Sequence, residues 1–381
     1  MAVEGIRRPA WAEIDLGALR HNARVLKAAI GDAALCAVVK ADGYGHGALS
    51  AARAFLEGGA DWLAVAIVDE GLELRAAGID APILLLSEPP ADSMDAALEA
   101  ALTPTLSTVS GVQAAALAAT RHHDVLGVHI KVDTGMHRMG VELDELDELL
   151  DALEAAPVLE LEGLWTHLAV ADEDAIEAEE FTALQIERFE AALAQVRSRG
   201  LEPALCHVAN SAGTLRLPSA RRQMVRCGIA LYGELPTSAV RSAGEALDLQ
   251  PAMTIKAQVT AVRSLEAGAR PSYGRRRALP EAATVATVPI GYADGFPRAL
   301  FAQGAEVLIR GQRFPLAGQV TMDQIVVDAD SVPVEVGDEV VLLGAQGDER
   351  ISATEWADRL GTISYEVLCG IGPRVPRRAV D

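Results

Sequence analysis

The chain has 381 residues, half of them hydrophobic and only 4% aromatic, with 33 basic against 54 acidic side chains and a net charge of −21. That length suits two domains with cores of Ala, Val, Leu and Ile. The negative charge repels phosphate backbones and anionic headgroups, which argues against nucleic acid or a membrane surface as partner. Cys36, Cys206, Cys227 and Cys369 form no C-x-x-C pair. This is the usage of reduced thiols in a cytoplasmic protein. The N-terminus lacks an apolar export segment, and no stretch reaches the ~20 apolar residues of a membrane span.

In chain order, Asp15 is placed to cap a helix over 16–30, where Leu16, Leu19, Ala23, Leu26 and Ile30 repeat at helical spacing. Apolar runs then follow at 35–40, 62–68, 82–87, 102–106, 127–133, 160–168, 205–210 and 223–229. They alternate with alanine-rich helical segments at 47–58, 69–77, 92–101, 109–120, 141–155, 175–199 and 211–216. Eight strands, each followed by a helix or a helix-like connection, predict an α/β fold, a (β/α)8 TIM barrel over residues 16–235. A doubly wound open sheet is the competing architecture, but it gathers ligand groups near one switch point. Here Lys40, Lys131 with Asp133, His167, Asn210 with Ser211, and Arg226 stand at the ends of different runs, and a barrel collects them at one mouth. Beyond Tyr232 the runs 252–265, 283–293, 305–310, 324–328 and 338–344 predict a mostly β domain over 236–381. Its turns fall at Gly268, Gly311 and Gly337, its one helix lies near 353–361, and a linker lies around 234–250, by Pro236, Gly244 and Pro251. The acidic stretch 172–180 reads as a solvated loop and helix start.

Lys40 ends the run Leu35–Val39 and opens into Ala41-Asp42-Gly43-Tyr44-Gly45-His46-Gly47. Burial lowers an amine's pKa toward its nucleophilic form, and glycines allow close approach, so this is a place to hold an aldehyde cofactor as an imine. The plainer reading is a surface lysine capping a strand before an ordinary turn. The loops after the seventh and eighth barrel strands commonly hold phosphate. This chain offers Asn210-Ser211-Ala212-Gly213 and Arg226-Cys227-Gly228-Ile229 there, although Asn-Ser-Ala-Gly serves equally as a helix cap. Lys131 is followed by Arg138, and two cations about 4 Å apart repel by roughly 4 kcal/mol at an effective dielectric near 20. Either one faces solvent or one is modified, unless Lys131 simply pairs with Asp133.

Val38 to Gly47 resembles the pyridoxal phosphate attachment motif of alanine racemases. Further matches are Lys131 to Met136, Arg138 to Gly140, Thr166-His167, His207 to Ser211, Val225 to Gly233, Ser272 to Gly274, Pro289 to Arg298, Thr321 to Asp323 and Tyr365 to Arg377. The resemblance covers about residues 10–377. It implies a pyridoxal 5'-phosphate enzyme that interconverts L- and D-alanine for cell-wall peptidoglycan, needs no metal, and works as a homodimer with shared active sites. The second domain (236–381, with 1–15) would contribute to the partner's site.

The resemblance also implies roles. Lys40 binds the cofactor and is the base toward D-alanine, and Tyr273 is the base toward L-alanine. His167 and Arg226 match the chain of hydrogen bonds expected to supply the positive charge that keeps the Tyr273 phenolate available. Arg226 faces the pyridine nitrogen and can only donate a hydrogen bond, which weakens the electron sink and suppresses transamination. Tyr44, Asn210, Ser211, Tyr365 and the backbone at Gly228 and Ile229 hold the cofactor. Arg138 and Met322 hold the substrate carboxylate, and Tyr292 and Tyr365 narrow the entrance. Lys131 is carbamylated to N-carboxylysine and pairs with Arg138.

Rival readings are a racemase of broader range (serine or other residues), a barrel-type decarboxylase using the same cofactor, and a barrel-only carrier of the cofactor. Arg226 and the Tyr273 motif argue against the decarboxylase, and the second domain argues against the carrier. The chain departs from the family pattern at Pro271, at the three arginines 275–277, and at Thr321, where a cysteine is common.

Overall fold

In the computed structural model, which describes residues 7–235, 237, 240 and 245–381, every apolar run of the first part is a strand. Of the predicted linker, Pro236 and Gly244 lie outside the described residues. The chain divides into two units. One comprises Leu19–Tyr44 and Ala48–Gln250; the other comprises the described residues up to Ala18, Gly45–Gly47 and Pro251–Asp381.

After β1 (Ala10–Asp15), which belongs to the second unit, come β2 (Ala34–Val38), β3 (Trp62–Val65), β4 (Ile83–Leu85) and β5 (Leu102–Thr103). They are followed by β6 (Thr105–Leu106), β7 (Leu126–Lys131), β8 (Leu159–Trp165), β9 (Leu205–His207) and β10 (Met224–Cys227). The strands form two parallel arcs, β10-β2-β3-β4-β5 and β6-β7-β8-β9. Pro104 interrupts the fifth run because proline has no N–H to give the ladder, yet its carbonyl still accepts from His129 N at 3.0 Å. On the opposite side the Arg226 N–H reaches Ala209 O at 3.0 Å, so the ring closes. The barrel expectation holds and the open sheet does not. Leu35, Cys36, Ala37, Leu63, Ala64 and Val65 are fully buried, as befits parallel strands covered on both faces. Two of the helices around them begin on side-chain caps: Thr108 Oγ1 accepts from Gly111 N at 2.9 Å, and Asn210 Oδ1 from Gly213 N at 2.9 Å.

The second unit contains β11 (Met253–Gln258), β12 (Ala261–Leu265), β13 (Ala283–Val288), β14 (Glu306–Ile309), β15 (Gln312–Pro315), β16 (Ile325–Asp328), β17 (Glu339–Gln346), β18 (Glu349–Ile351) and β19 (Arg377–Val380). The larger sheet runs β15-β14-β17-β11-β1-β19 with β18 paired to β17; the smaller runs β12-β13-β16. Two expectations need correction. The run 252–265 is two strands in different sheets, and a second helix, Ser364–Cys369, follows the one at Ala353–Leu360. β15, β18 and β19 were not legible as strands, since they are short and arginine-bearing and are ordered by their partners rather than by any apolar alternation. β1 lies antiparallel to β11 and parallel to β19. At its end Asp15 Oδ1 accepts from Ala18 N at 2.8 Å, the predicted cap.

Candidate active site

β2 carries the chain out of the core through Val38 and Val39, both buried, to a half-buried Lys40. The next five residues, Ala41, Asp42, Gly43, Tyr44 and Gly45, have φ of 52°, 51°, 60°, 52° and 79°. This is a turn of left-handed helix. It costs an L-residue roughly 1–2 kcal/mol, so Ala41, Asp42 and Tyr44 together carry roughly 3–6 kcal/mol of strain. Local bonds offset part of this: Gly43 N donates to Val39 O at 2.9 Å, and Ala48 N to Asp42 Oδ1 at 2.8 Å.

The turn delivers Tyr44 into the barrel, where its ring lies 4.9 Å from that of Tyr232. Tyr232 is structural, fully buried and donating its hydroxyl to Val38 O at 3.0 Å. The Tyr44 hydroxyl rests on the backbone of Gly228, so closely that a Cβ there would run into it. Buried Ser211 accepts from Gly228 N at 2.9 Å and from Ala230 N at 3.4 Å. Two hydroxyls and two backbone N–H groups from three strand ends therefore meet in one cradle. Ile229, beside it, is buried. Asn210 spends its side chain on the cap and on Leu168 O at 3.2 Å, so it shapes the start of the Ser211–Arg216 helix.

Arg226 is 3% exposed. Its guanidinium donates to His207 Nδ1 at 2.8 Å, to Thr166 O at 2.7 Å and to Val208 O at 3.2 Å, and approaches His167 Nδ1 at 3.4 Å. Burial pushes its pKa down to about 10, which leaves it charged at neutral pH. Because a guanidinium can only donate, His207 Nδ1 must accept, and its proton sits on Nε2. That nitrogen faces His129 Nδ1 at 2.9 Å, and His129 Nε2 in turn faces Glu162 Oε2 at 3.5 Å. Trp165 carries two cations, with the Arg226 guanidinium 4.5 Å and Lys131 Nζ 4.7 Å from its ring centre.

Burial, followed by the charges of Arg226, Arg138, Lys131 and Lys40, holds His167 neutral, well below its ordinary pKa. Four cations around one imidazole, in a chain of net charge −21, make the barrel mouth a positive site that favours anionic ligands. Lys131 is 3% exposed, and burial, then Arg138 and Arg226, push its pKa down to about 8. It forms no ion pair with Asp133 among the described residues; Asp133 Oδ1 instead accepts from Gly135 N at 2.8 Å and His137 N at 3.1 Å. Arg138 is the member of the cationic pair that faces solvent.

In the second unit Tyr273, Tyr292 and Met322 sit on adjoining loops. Ser272 Oγ donates to Gln319 O at 2.5 Å, Tyr292 N to Thr321 O at 3.0 Å, and Ala293 N to Met322 O at 3.0 Å. A side chain at Gly291 would collide with the Thr321 and Met322 carbonyls. Buried Asp294 fastens the group, accepting from Gly291 N at 2.9 Å and pairing with Arg8 at 2.8 Å and Arg374 at 3.2 Å. Tyr365 lies half-buried on the Ser364–Cys369 helix. The sequence alone does not single out His129, His207, Trp165, Glu162 or Asp294. His207 lay in a matched segment, but its partners on β7 and β8 leave no trace in spacing.

Residues 14–236 match the family model for the alanine racemase N-terminal domain, and residues 252–379 the one for the C-terminal domain. An alanine racemase of Symbiobacterium thermophilum is 48% identical over 378 residues, spanning 99% of this chain and 98% of that protein. Among solved structures, the alanine racemase from D-cycloserine producing Streptomyces lavendulae is 37% identical with a TM-score of 0.92, covering 99% of this chain and 98% of that one. The alanine racemase of Bacillus anthracis with bound L-Ala-P is 40% identical with a TM-score of 0.91, covering 99% and 96%. A histidine racemase of Leuconostoc mesenteroides is more distant, 28% identical with a TM-score of 0.85 over 98% and 99%. With both of its units matched to that family's models and nearly its whole length shared with these relatives, this chain belongs to the alanine racemase family.

Proposed function

We propose that this chain racemises alanine with pyridoxal 5'-phosphate, in a homodimer whose sites are shared. The observation that carries the reading is the convergence at the barrel mouth of Lys40, the cradle of Tyr44, Ser211, Gly228 and Ala230, and the donor-only Arg226. The cradle offers hydroxyls and N–H groups, which suit a phosphate. When bound, the cofactor supplies an aldehyde and an electron-withdrawing ring that let an α-proton leave an amino acid.

The rest is the work of the protein's own side chains. Lys40 Nζ takes or returns the α-proton on one face, and Tyr273 Oη of a second copy does so on the other. Two bases on opposite faces are what inversion requires. Arg226, held by His207 and two carbonyls, presents N–H groups without giving up a proton. Arg138 binds the substrate carboxylate together with the Met322 backbone of the second copy, and Tyr292 and Tyr365 restrict entry, which favours a methyl side chain. Tyr365 joins Tyr44 and Ser211 in binding phosphate, with Asn210 shaping that loop and Gly228 and Ile229 lending backbone. Lys131, with a pKa near 8, has enough neutral amine to add CO2, and the N-carboxylysine so formed would pair with Arg138. D-alanine made in the cytoplasm would serve peptidoglycan.

Among the described residues no helix is long and apolar enough to cross a membrane. The relatives named for alanine favour that substrate over the broader racemase or the decarboxylase.

The decisive experiment is absorption spectroscopy of the purified protein with the Lys40→Ala variant. The parent should show the visible band of lysine-bound cofactor. The variant should lose it, along with at least about 10³-fold of racemisation; an unchanged band would refute Lys40.

A further inference from the structure

We propose that Glu70 is a positioning residue for Lys40. The inference rests on the reading that Lys40 bears the reacting amine. Glu70 sits in the first turn of the Val68–Ala76 helix, which follows β3. Its two carboxylate oxygens face different clients. Oε2 accepts from Ala66 N at 2.7 Å and Ile67 N at 3.3 Å, closing the start of its own helix. Oε1 reaches across to the end of the neighbouring strand and accepts from Ala41 N at 2.7 Å.

That N–H belongs to the peptide joining Lys40 to Ala41. Gripping it sets the plane of the first peptide after Lys40, and so the direction in which the Lys40 side chain leaves the backbone. It also anchors the entry to the left-handed turn, where Ala41 and Asp42 adopt φ of 52° and 51° without being glycine. Within the turn, Gly43 N and Asp42 Oδ1 make their own bonds to Val39 and Ala48, but neither touches the Ala41 N–H.

A carboxylate is required because both of its oxygens accept. Glutamine has one accepting oxygen; if that serves Ala66 and Ile67, its amide N–H2 confronts the Ala41 N–H, donor against donor. Glu70→Gln should therefore keep the helix start and lose the grip on Lys40, which separates positioning from capping.

The test compares parent and Glu70→Gln, both loaded with pyridoxal phosphate, by amide hydrogen exchange and by exchange of the α-proton with solvent from each enantiomer of alanine. We expect amide exchange over 40–44 to accelerate at least about ten-fold while 66–76 is unchanged. Since Lys40 serves D-alanine, α-proton exchange from D-alanine should slow about ten-fold more than from L-alanine. Unchanged protection at Ala41, or equal slowing for both enantiomers, would overturn the positioning role while the lysine-bound band of the parent left the Lys40 reading intact. Persistence of that band in Lys40→Ala would end that reading and the proposal together.

Discussion

At the barrel mouth Arg226 is 3% exposed and Lys131 likewise; in the second unit Tyr273 is 73%, Met322 52% and Tyr292 42% exposed. The first group is built into a core, so its geometry is set by folding. The second is a set of large side chains held out to solvent on loops that are themselves well fastened, through Asp294 and Gly291. Exposed apolar groups in one cluster mark a surface meant to be covered. The contrast teaches that one half of the proposed chemistry is preorganised by burial, and that the other rests on side chains exposed on well-fastened loops.

Changing the presented half should cost activity and leave stability alone. Tyr273→Phe should lower racemisation by roughly 10²–10³-fold, with α-proton exchange lost mainly from L-alanine. As an exposed change its effect on stability should stay within about 0.5 kcal/mol. A large drop in thermal midpoint, or equal loss from both enantiomers, would break the comparison.

Changing the buried half should show in both. Gly228→Ala forces the Tyr44 hydroxyl away from its seat. Cofactor affinity, read by spectroscopic titration, should weaken by about ten-fold or more, with a destabilisation of about 1–3 kcal/mol from overpacking. An unaltered titration would show that the cradle is not where phosphate sits.

The smallest effect is electrostatic. The folded pKa of Lys131, about 8, lies below the ordinary 10.5. Folding therefore disfavours the protonated amine. The cost is fully present below pH 8, fades as pH rises from 8 to 10.5, and is absent above. In CO2-free buffer, Lys131→Met should gain on the order of 1–3 kcal/mol in urea unfolding at pH 7 and nothing near pH 10.5. If CO2 modifies the residue, adding bicarbonate to the parent should shrink that gap; the same gap with and without it would argue against N-carboxylysine.

Much of the barrel could be read because its strands are short apolar runs separated by amphipathic helices, and because Lys40, His167, Ser211 and Arg226 fall where such runs stop. The stacking of Lys131 and Arg226 on Trp165, and the chain from Arg226 through His207 to His129, could not. They depend on β7, β8, β9 and β10 being neighbours, and no spacing encodes that. The same holds for β1, whose partner β11 lies far along the chain, and for Glu70, which reads as a helix-start residue until the neighbouring strand brings Ala41 to it.

The sequence by itself determined the layer pattern, the lysine at a strand end, the hydroxyl- and glycine-bearing loops after the seventh and eighth runs, and, through the residue types of its motifs, the family. Those features are written in local periodicity and residue type. Only the tertiary structure decided that the turn after Lys40 is left-handed, that Lys131 and Asp133 do not pair, and which nitrogen of His207 accepts. Backbone strain, burial and donor direction arise from contacts between segments far apart in the chain, and such contacts exist only once the barrel has closed.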